Sequence, residues 1–216
     1  MNTFAGHRLP LSAAQREIWI AHHIDVTGAL HNCGGYVEIN GEVDEGKLAE
    51  AVRLVAAETE APRLRFATED GEPHQYLAES ADPLRVVRLD GERDPERAAE
   101  EWMHADLARP TDLADGPLVR HTLLRLTADR SLFFLRYHHI VLDGYGQVLY
   151  WRRLGALYTA QVTGVAARPT AWAPLADLLA EERAYRASDQ HAADRAHWLA
   201  TMAEPPEPLR LGDAST

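Results

Sequence analysis

Arg136-Tyr137-His138-His139-Ile140-Val141-Leu142-Asp143-Gly144 is the stretch on which the reading of this chain turns. Before it, Leu132 to Tyr137 is an apolar run centred on Phe133-Phe134, which predicts a strand buried on both faces. Leu118 to Leu126 reads as its partner across the polar turn Ala128-Asp129-Arg130. After it, the stretch 147–161 sets Val148, Trp151, Leu154 and Tyr158 on one helical face. The quoted residues are therefore the end of a strand, a tight loop and the approach to a helix. Polar groups in that context are held at a sheet edge.

Further upstream, Ser12-Ala13-Ala14-Gln15 has the S-x-x-Q form of a capping box and predicts a helix over 12–24. A strand over 35–40 leads through Gly41 to a helix over 44–57, where Leu48, Val52 and Val55 recur at helical spacing. Leu64 and Phe66 alternate before Asp70-Gly71, and 74–78 returns, which is the pattern of a hairpin. A strand over 84–89 follows. Asp94-Pro95 then opens a helix over 94–108, with Asp94 as cap and Pro95 at the first helical position. Helices over 174–187 and 189–203 precede Pro205-Pro206-Glu207-Pro208, where a proline cluster ends helix and suits a linker. Sheet mixed with helices, without strict alternation, predicts an α/β sandwich.

Composition removes several function classes. The chain has 216 residues, 46% of them apolar and 25% charged, which is enough to bury a core. A net charge of -11, with the arginines scattered among acids, argues against nucleic acid as a partner. Most acids are expected on the solvated outer faces of helices such as 94–108. No run approaches 18 apolar residues, so no membrane-spanning helix is expected. The start, Met1 to Ala5, has no secretory pattern, and a cytoplasmic location is expected. Cys33 is the single cysteine and has no partner for an internal disulfide.

The chemistry in the quoted stretch rests on its imidazoles. A histidine moves protons near neutral pH when its tautomer and orientation are fixed. Asp143, four residues on, is placed to fold back and pin the loop, and Gly144 permits a backbone geometry or close approach that a side chain would block. Two histidines and an aspartate are also metal-ligand types. Adjacent residues at a strand end point to opposite faces, however, and no third nitrogen ligand is placed by the sequence. The pair His22-His23 and His121 carry no usable pattern, and surface placement is expected for them. Trp19, Trp151 and Tyr158 fit the buried faces of helices.

His138-His139-x-x-x-Asp143-Gly144 resembles the HHxxxDG motif of nonribosomal peptide synthetase condensation domains, relatives of chloramphenicol acetyltransferase. Ser12 to Trp19 resembles the family's opening S-x-A-Q-x-x-x-W motif. Glu60-Ala61-Pro62-Arg63-Leu64-Arg65-Phe66 resembles its second motif, HExLRTRF, with Thr59 in place of histidine, Pro62 of leucine and Leu64 of threonine. Asp112 to Arg120 resembles the usual lead-in to the strand before the active site. The resemblance implies a chloramphenicol acetyltransferase-like α/β sandwich, one lobe of a two-lobed domain, over 1–204. Residues 205–216 would then lead toward a C-terminal lobe that this chain lacks. It further implies amide bond formation between a carrier-bound acyl thioester and the amine of a carrier-bound aminoacyl thioester. His139 would be catalytic, with His138, Asp143, Gly144 and Arg63 in support, and Asp143 would pair with Arg63. No metal or cofactor would be bound by the chain, because the substrates ride on the phosphopantetheine arms of donor and acceptor peptidyl or aryl carrier proteins. One lobe alone would be inactive.

Two related readings share the motif, an epimerisation domain and a non-catalytic lobe that docks carrier proteins; the Ser12 to Trp19 stretch favours condensation. Leu9 to Gln15, Ile18-Trp19 and Arg136 to His139 further resemble the condensation domains that open siderophore synthetases of the enterobactin type. That resemblance implies an aryl or other amine-free acyl donor. With the first motif reached within about ten residues of Met1, the donor is expected to arrive from a separate protein.

Overall fold

The computed structural model describes residues 8–204 and 207, so Pro205, Pro206 and Pro208 of the expected linker lie outside the described residues. Strands β2 (Asn32–Asn40), β7 (Arg130–His138), β6 (Val119–Arg125) and β5 (Arg85–Arg88) form one sheet in that spatial order. β7 pairs antiparallel with both β2 and β6, and β5 runs parallel to β6. The crossover between β5 and β6 carries α3 (Pro95–Leu107), as a parallel pair requires. A smaller antiparallel sheet holds β1 (Leu9–Pro10), β4 (Glu72–Leu77) and β3 (Leu64–Glu69). The remaining helices are α1 (Ala13–Ile24), α2 (Glu45–Glu58), α4 (Gly144–Thr163), α5 (Leu175–Arg186) and α6 (Asp189–Thr201).

Burial of β7 on both faces makes the sandwich. Phe133, Leu135 and Tyr137 point toward α2 and α4, where they meet Leu48, Val52 and Val55 of α2 and Tyr150, Leu154 and Leu157 of α4. Leu132 and Phe134 point the other way and pack with Ala99 and Met103 of α3. Period-two alternation thus sends neighbouring residues of one strand into two cores. A third cluster, Leu11, Leu64, Phe66, Leu113, Leu118 and Ile140, lies under the small sheet and reaches the turn after β7.

Local chemistry explains where the elements begin. Ser12 and Gln15 form the complete capping box: Gln15 N–H donates to Ser12 Oγ at 3.2 Å and Ser12 N–H to Gln15 Oε1 at 3.0 Å. Asp94 caps α3 by accepting from Arg97 N–H, with Pro95 at the first position. The β3–β4 hairpin turns on Asp70 and Gly71, both at positive φ, 52° and 81°, as a tight two-residue turn demands.

Several expectations are corrected. β2 begins at Asn32 rather than 35, because its register with β7 runs unbroken from Asn32 opposite His138 to Asn40 opposite Arg130. Gly34 and Gly35 weaken the strand signal there. A Cβ on Gly34 would nevertheless stand 2.8 Å from the Phe134 ring, so the packing needs that glycine. α4 starts at Gly144, three residues before the expected 147, and Val148 is exposed, the buried positions being Tyr150, Arg153, Leu154 and Leu157. His121 is buried against Tyr150, whose hydroxyl lies 3.0 Å from its Nε2. Asp106 of α3 is buried as well, an exception among the acids expected on outer faces.

The chain divides into two compact units, Met1–Leu175 and Ala176–Thr216, a division inside the stretch read as one lobe. In the second unit Ser188 caps α6 by accepting from His191 N–H, and Tyr185 donates to Asp194 Oδ2 at 2.8 Å. α6 buries no residue and leaves Trp198, Leu199 and Met202 exposed. No helix among the described residues is long and apolar enough to cross a membrane.

Candidate active site

The end of β7 separates its two histidines. His138 is 1% exposed, while His139, the next residue, is exposed. Backbone bonds fix the turn between them and α4: His138 N–H donates to Leu118 O, His139 N–H to His31 O at 2.8 Å, and Val141 N–H to His138 O. The His139 imidazole is thus carried on a hydrogen-bonded backbone and left open to whatever approaches the end of β7.

The residues before the turn are held by polar side chains. Arg136 is buried and donates to Arg109 O and Thr111 Oγ1, both at 2.7 Å. Asn32, opposite His138, donates to Leu107 O and Arg109 O and accepts from Thr111 Oγ1. The segment after α3 is thereby tied to the ends of β2 and β7. Asp25 winds the segment before β2 around its carboxylate, which accepts from the backbone of Thr27, Ala29 and Leu30 and from the Thr27 hydroxyl. Those bonds stabilise the charged carboxylate and hold its pKa well below the usual carboxylate range. The segment so ordered carries His31, whose carbonyl anchors His139.

Gln15 does more than cap α1. Its Nε2 donates to Gln75 Oε1 at 2.9 Å and approaches Ile140 O at 3.4 Å, while Gln75 Nε2 donates back to Gln15 Oε1 and to Pro10 O. The capping glutamine therefore joins α1, the small sheet and the turn after His139. The capping-box pattern located this residue in the sequence, but no local signal showed its reach to Ile140.

Asp143 sits at the N-cap of α4 and accepts from Gly146 N–H at 2.6 Å. The expected ion pair with Arg63 is not formed. Arg63 ends a short 3-10 turn, Ala61–Arg63, and lines a cavity of about 640 Å3 between α2 and residues 79–84; its Nε is buried without a hydrogen-bond partner. The other arginine of that motif, Arg65, is buried and donates to Leu64 O, Pro62 O and Asp115 O. It lies so close to Gly116, at φ 64°, that a Cβ there would stand 2.5 Å from its Nε. Pro62 and Leu64, which depart from the motif, occupy the 3-10 turn and the start of β3.

Gly144 also differs from expectation. Its φ is not in the left-handed region, and a Cβ on it would meet nothing within 4 Å. Within this chain, neither backbone geometry nor close packing requires glycine at that position, which leaves open space beside the first turn of α4.

Around His138 the structure gathers two more imidazoles, of which His22 was expected at the surface. His22 of α1 places its Nδ1 3.3 Å from His138 Nε2, and the His31 ring lies 5.7 Å from that of His138. Burial, with like charges nearby, pushes His138 down to about 3, and burial lowers His22 as well. A cleft of about 490 Å3 lined by Trp19, His22, His23, Phe66 and Asp112 opens beside the pair. No group of three or more metal-ligating side chains stands together among the described residues.

Residues 6–215 match the condensation-domain family. The chain belongs to that family. A dimodular nonribosomal peptide synthase of Bacillus subtilis is 38% identical over 204 residues, 94% of this chain and 9% of that protein. Enterobactin synthase component F of Escherichia coli (strain K12) is 31% identical over 209 residues, 95% of this chain and 16% of that one. Among solved structures, the starter condensation domain of rhizomide synthetase superposes with a TM-score of 0.86 at 33% identity, covering 94% of this chain and 49% of that one. The first condensation domain of the CDA synthetase gives 0.83 at 35%, covering 95% and 53%. This condensation-domain chain thus spans about half of the solved domains it matches and a small part of the curated relatives. The fold is the chloramphenicol acetyltransferase-like sandwich expected from the sequence.

Proposed function

We propose that this chain supplies the histidine-bearing half of a condensation site that forms an amide between a carrier-bound acyl thioester and the amine of a carrier-bound aminoacyl thioester. The observation that carries the reading is the exposed His139 imidazole, carried on a backbone that the bond from the His139 N–H to His31 O holds in place. In the reaction the amine nitrogen attacks the thioester carbonyl, the C–N bond forms and the C–S bond breaks. The amine proton ends on the departing thiolate. His139 acts at the amine, by taking that proton in transit or by holding the amine in line. Two tethered arms meeting at one point supply much of the rate, about 7–11 kcal/mol in well-oriented intramolecular systems.

The donor is read as an acyl group without an α-amine, an aryl or fatty acyl chain. Support comes from the 32% identical rhizomide synthetase starter domain, solved in variant form with C8-CoA and Leu-SNAC, and from the likeness to enterobactin synthase component F. Donor and acceptor carrier proteins are the partners this reading requires, and no metal enters the reaction it describes.

The test uses a complete condensation domain containing this chain, supplied with two loaded carrier proteins. His139→Ala should lower the rate of amide formation by about 10²–10⁴, with the melting temperature held. Undiminished condensation by that variant would refute the assignment. In the same assay an acyl-loaded donor carrier should outcompete an aminoacyl-loaded one.

A further inference from the structure

Two bonds of His138 settle which of its nitrogens carries the proton. Ile140 N–H donates to His138 Nδ1 at 3.2 Å, so Nδ1 presents a lone pair. In a neutral ring the proton is then on Nε2. Nε2 faces His22 Nδ1 at 3.3 Å, and the bond runs from His138 to His22. A directional chain results: the Ile140 amide into His138, and His138 into α1. His139 lies between the two residues whose bond starts it.

His22 belongs to this chain by its place in the helix. Gln15, Ile18, Trp19 and His22 fall at i, i+3, i+4 and i+7, the inner face of α1. Gln15, on that face, approaches Ile140 O at 3.4 Å. His23, beside it, is occupied elsewhere: its Nδ1 donates to Trp19 O at 2.8 Å and its ring lies 4.0 Å from that of Trp19. The charged and titratable groups around His22 are His23 and Asp25 at its own end of α1, His31 before β2, Asp112 after α3, and His138. Those around His138 are His22, His31, Arg136 and His139.

We propose that His22 is a positioning residue: by accepting a hydrogen bond from His138 Nε2–H it locks the His138 ring in the tautomer that receives the Ile140 amide, and so fixes the turn that presents His139. The catalytic part of this inference rests on the reading of His139 given above; the tautomer and the turn do not. Were the acceptor removed without admitting water, His138 would leave a buried N–H unpaired. Moving the proton to Nδ1 instead would cost the turn its bond from Ile140.

The variants are His22→Leu, which removes the acceptor and keeps bulk against water from the cleft, and His22→Asn, whose Oδ1 can stand where Nδ1 stood. In the 216-residue chain, nitrogen-15 NMR should show His138 as the neutral Nε2–H tautomer. His22→Leu should disturb that signature and lower the protection of the Ile140 amide against hydrogen exchange by about fivefold to tenfold, the loss of one net hydrogen bond. His22→Asn should restore both. In the complete condensation domain His22→Leu should lower kcat by a similar factor with KM for the loaded carriers unchanged, again restored by Asn. An Nδ1–H tautomer in the parent chain would overturn the proposal, as would unchanged Ile140 exchange in a folded His22→Leu. If the parent complete domain forms no amide while the NMR results hold, the reading of His139 fails and the role of His22 in the turn stands.

Discussion

His138 and His139 are neighbours with opposite surroundings, and alternation along a strand is the reason. At the end of β7 one imidazole turns into the protein and the next turns out. The inward one is held neutral, its proton affinity pushed down to about 3 from an ordinary 6.5, and His121, buried against Tyr150, is pushed down to about 3 by burial alone. Both folded values lie below the unfolded one. Between them the unfolded chain binds protons that the folded chain refuses, so the stability these groups contribute is complete above about pH 6.5 and is lost as pH falls toward 3. Denaturant midpoints of the chain should therefore fall from about pH 7 to about pH 5, a window above the range where unfolded carboxylates titrate. His121→Phe should flatten that slope. A midpoint independent of pH in the parent chain would contradict the burial of both rings. Burial of His138 was legible, since a histidine within a strand buried on both faces has few other places to go. His121 alternates with Val119 and Leu123, and His22 continues the Gln15-Ile18-Trp19 face; those periods mark them as inward-facing, although a histidine pair without a motif reads first as surface.

At the level of the element, the turn after β7 and the start of α4 are one device. Asp143 stands outside the helix and accepts from Gly146 N–H, satisfying a donor that the first turn leaves unpaired. Removal of a cap, not of a buried ion pair, is the relevant loss. Asp143→Ala should destabilise the chain by about 0.5–2 kcal/mol, while Asp143→Asn, an equally good cap, should stay close to the parent in thermal or denaturant unfolding. Because Arg63 lines the cavity beside α2 and makes no ion pair with Asp143, an Arg63→Ala change should add to Asp143→Ala within about 0.3–0.5 kcal/mol. Coupling of several kcal/mol in that double-mutant cycle would restore the ion pair inferred from the family motif. The pairing was a poor guide because partners far apart in sequence are set by tertiary placement. The cap itself was readable, aspartate before a helical run being a common N-terminal signal.

Across the whole molecule, the sheet is covered on one face by α2 and α4 and on the other by α3, while His139 remains uncovered at the end of its central strand β7. A site that joins two tethered substrates needs walls on more than one side to hold them at reacting distance and exclude water. This chain spans about half of the solved condensation domains it matches. The 216 residues alone are therefore expected to show no amide formation between loaded carrier proteins, and the same residues within a complete domain are expected to show it. Turnover by the isolated chain at the rate of the complete domain would contradict the need for a second wall.

Local pattern determined most of the elements: the Ser12-Gln15 box started α1, Asp94-Pro95 started α3, Asp70-Gly71 turned the hairpin, and the Phe133-Phe134 run marked a strand between two cores. Each is a case where a short-range requirement, an unpaired amide or a positive φ or a period of two, admits few residue types. The HHxxxDG spacing likewise placed His139 at a strand end. Tertiary structure decided which long-range partners those residues took. Gln15 met Ile140, His22 met His138, Arg65 rather than Arg63 packed against the Gly116 turn, and β2 gained three residues at Asn32, Cys33 and Gly34 from its register with β7. Those contacts join residues far apart in the chain, and their geometry follows from how the sheets and helices stack, which no local spacing encodes.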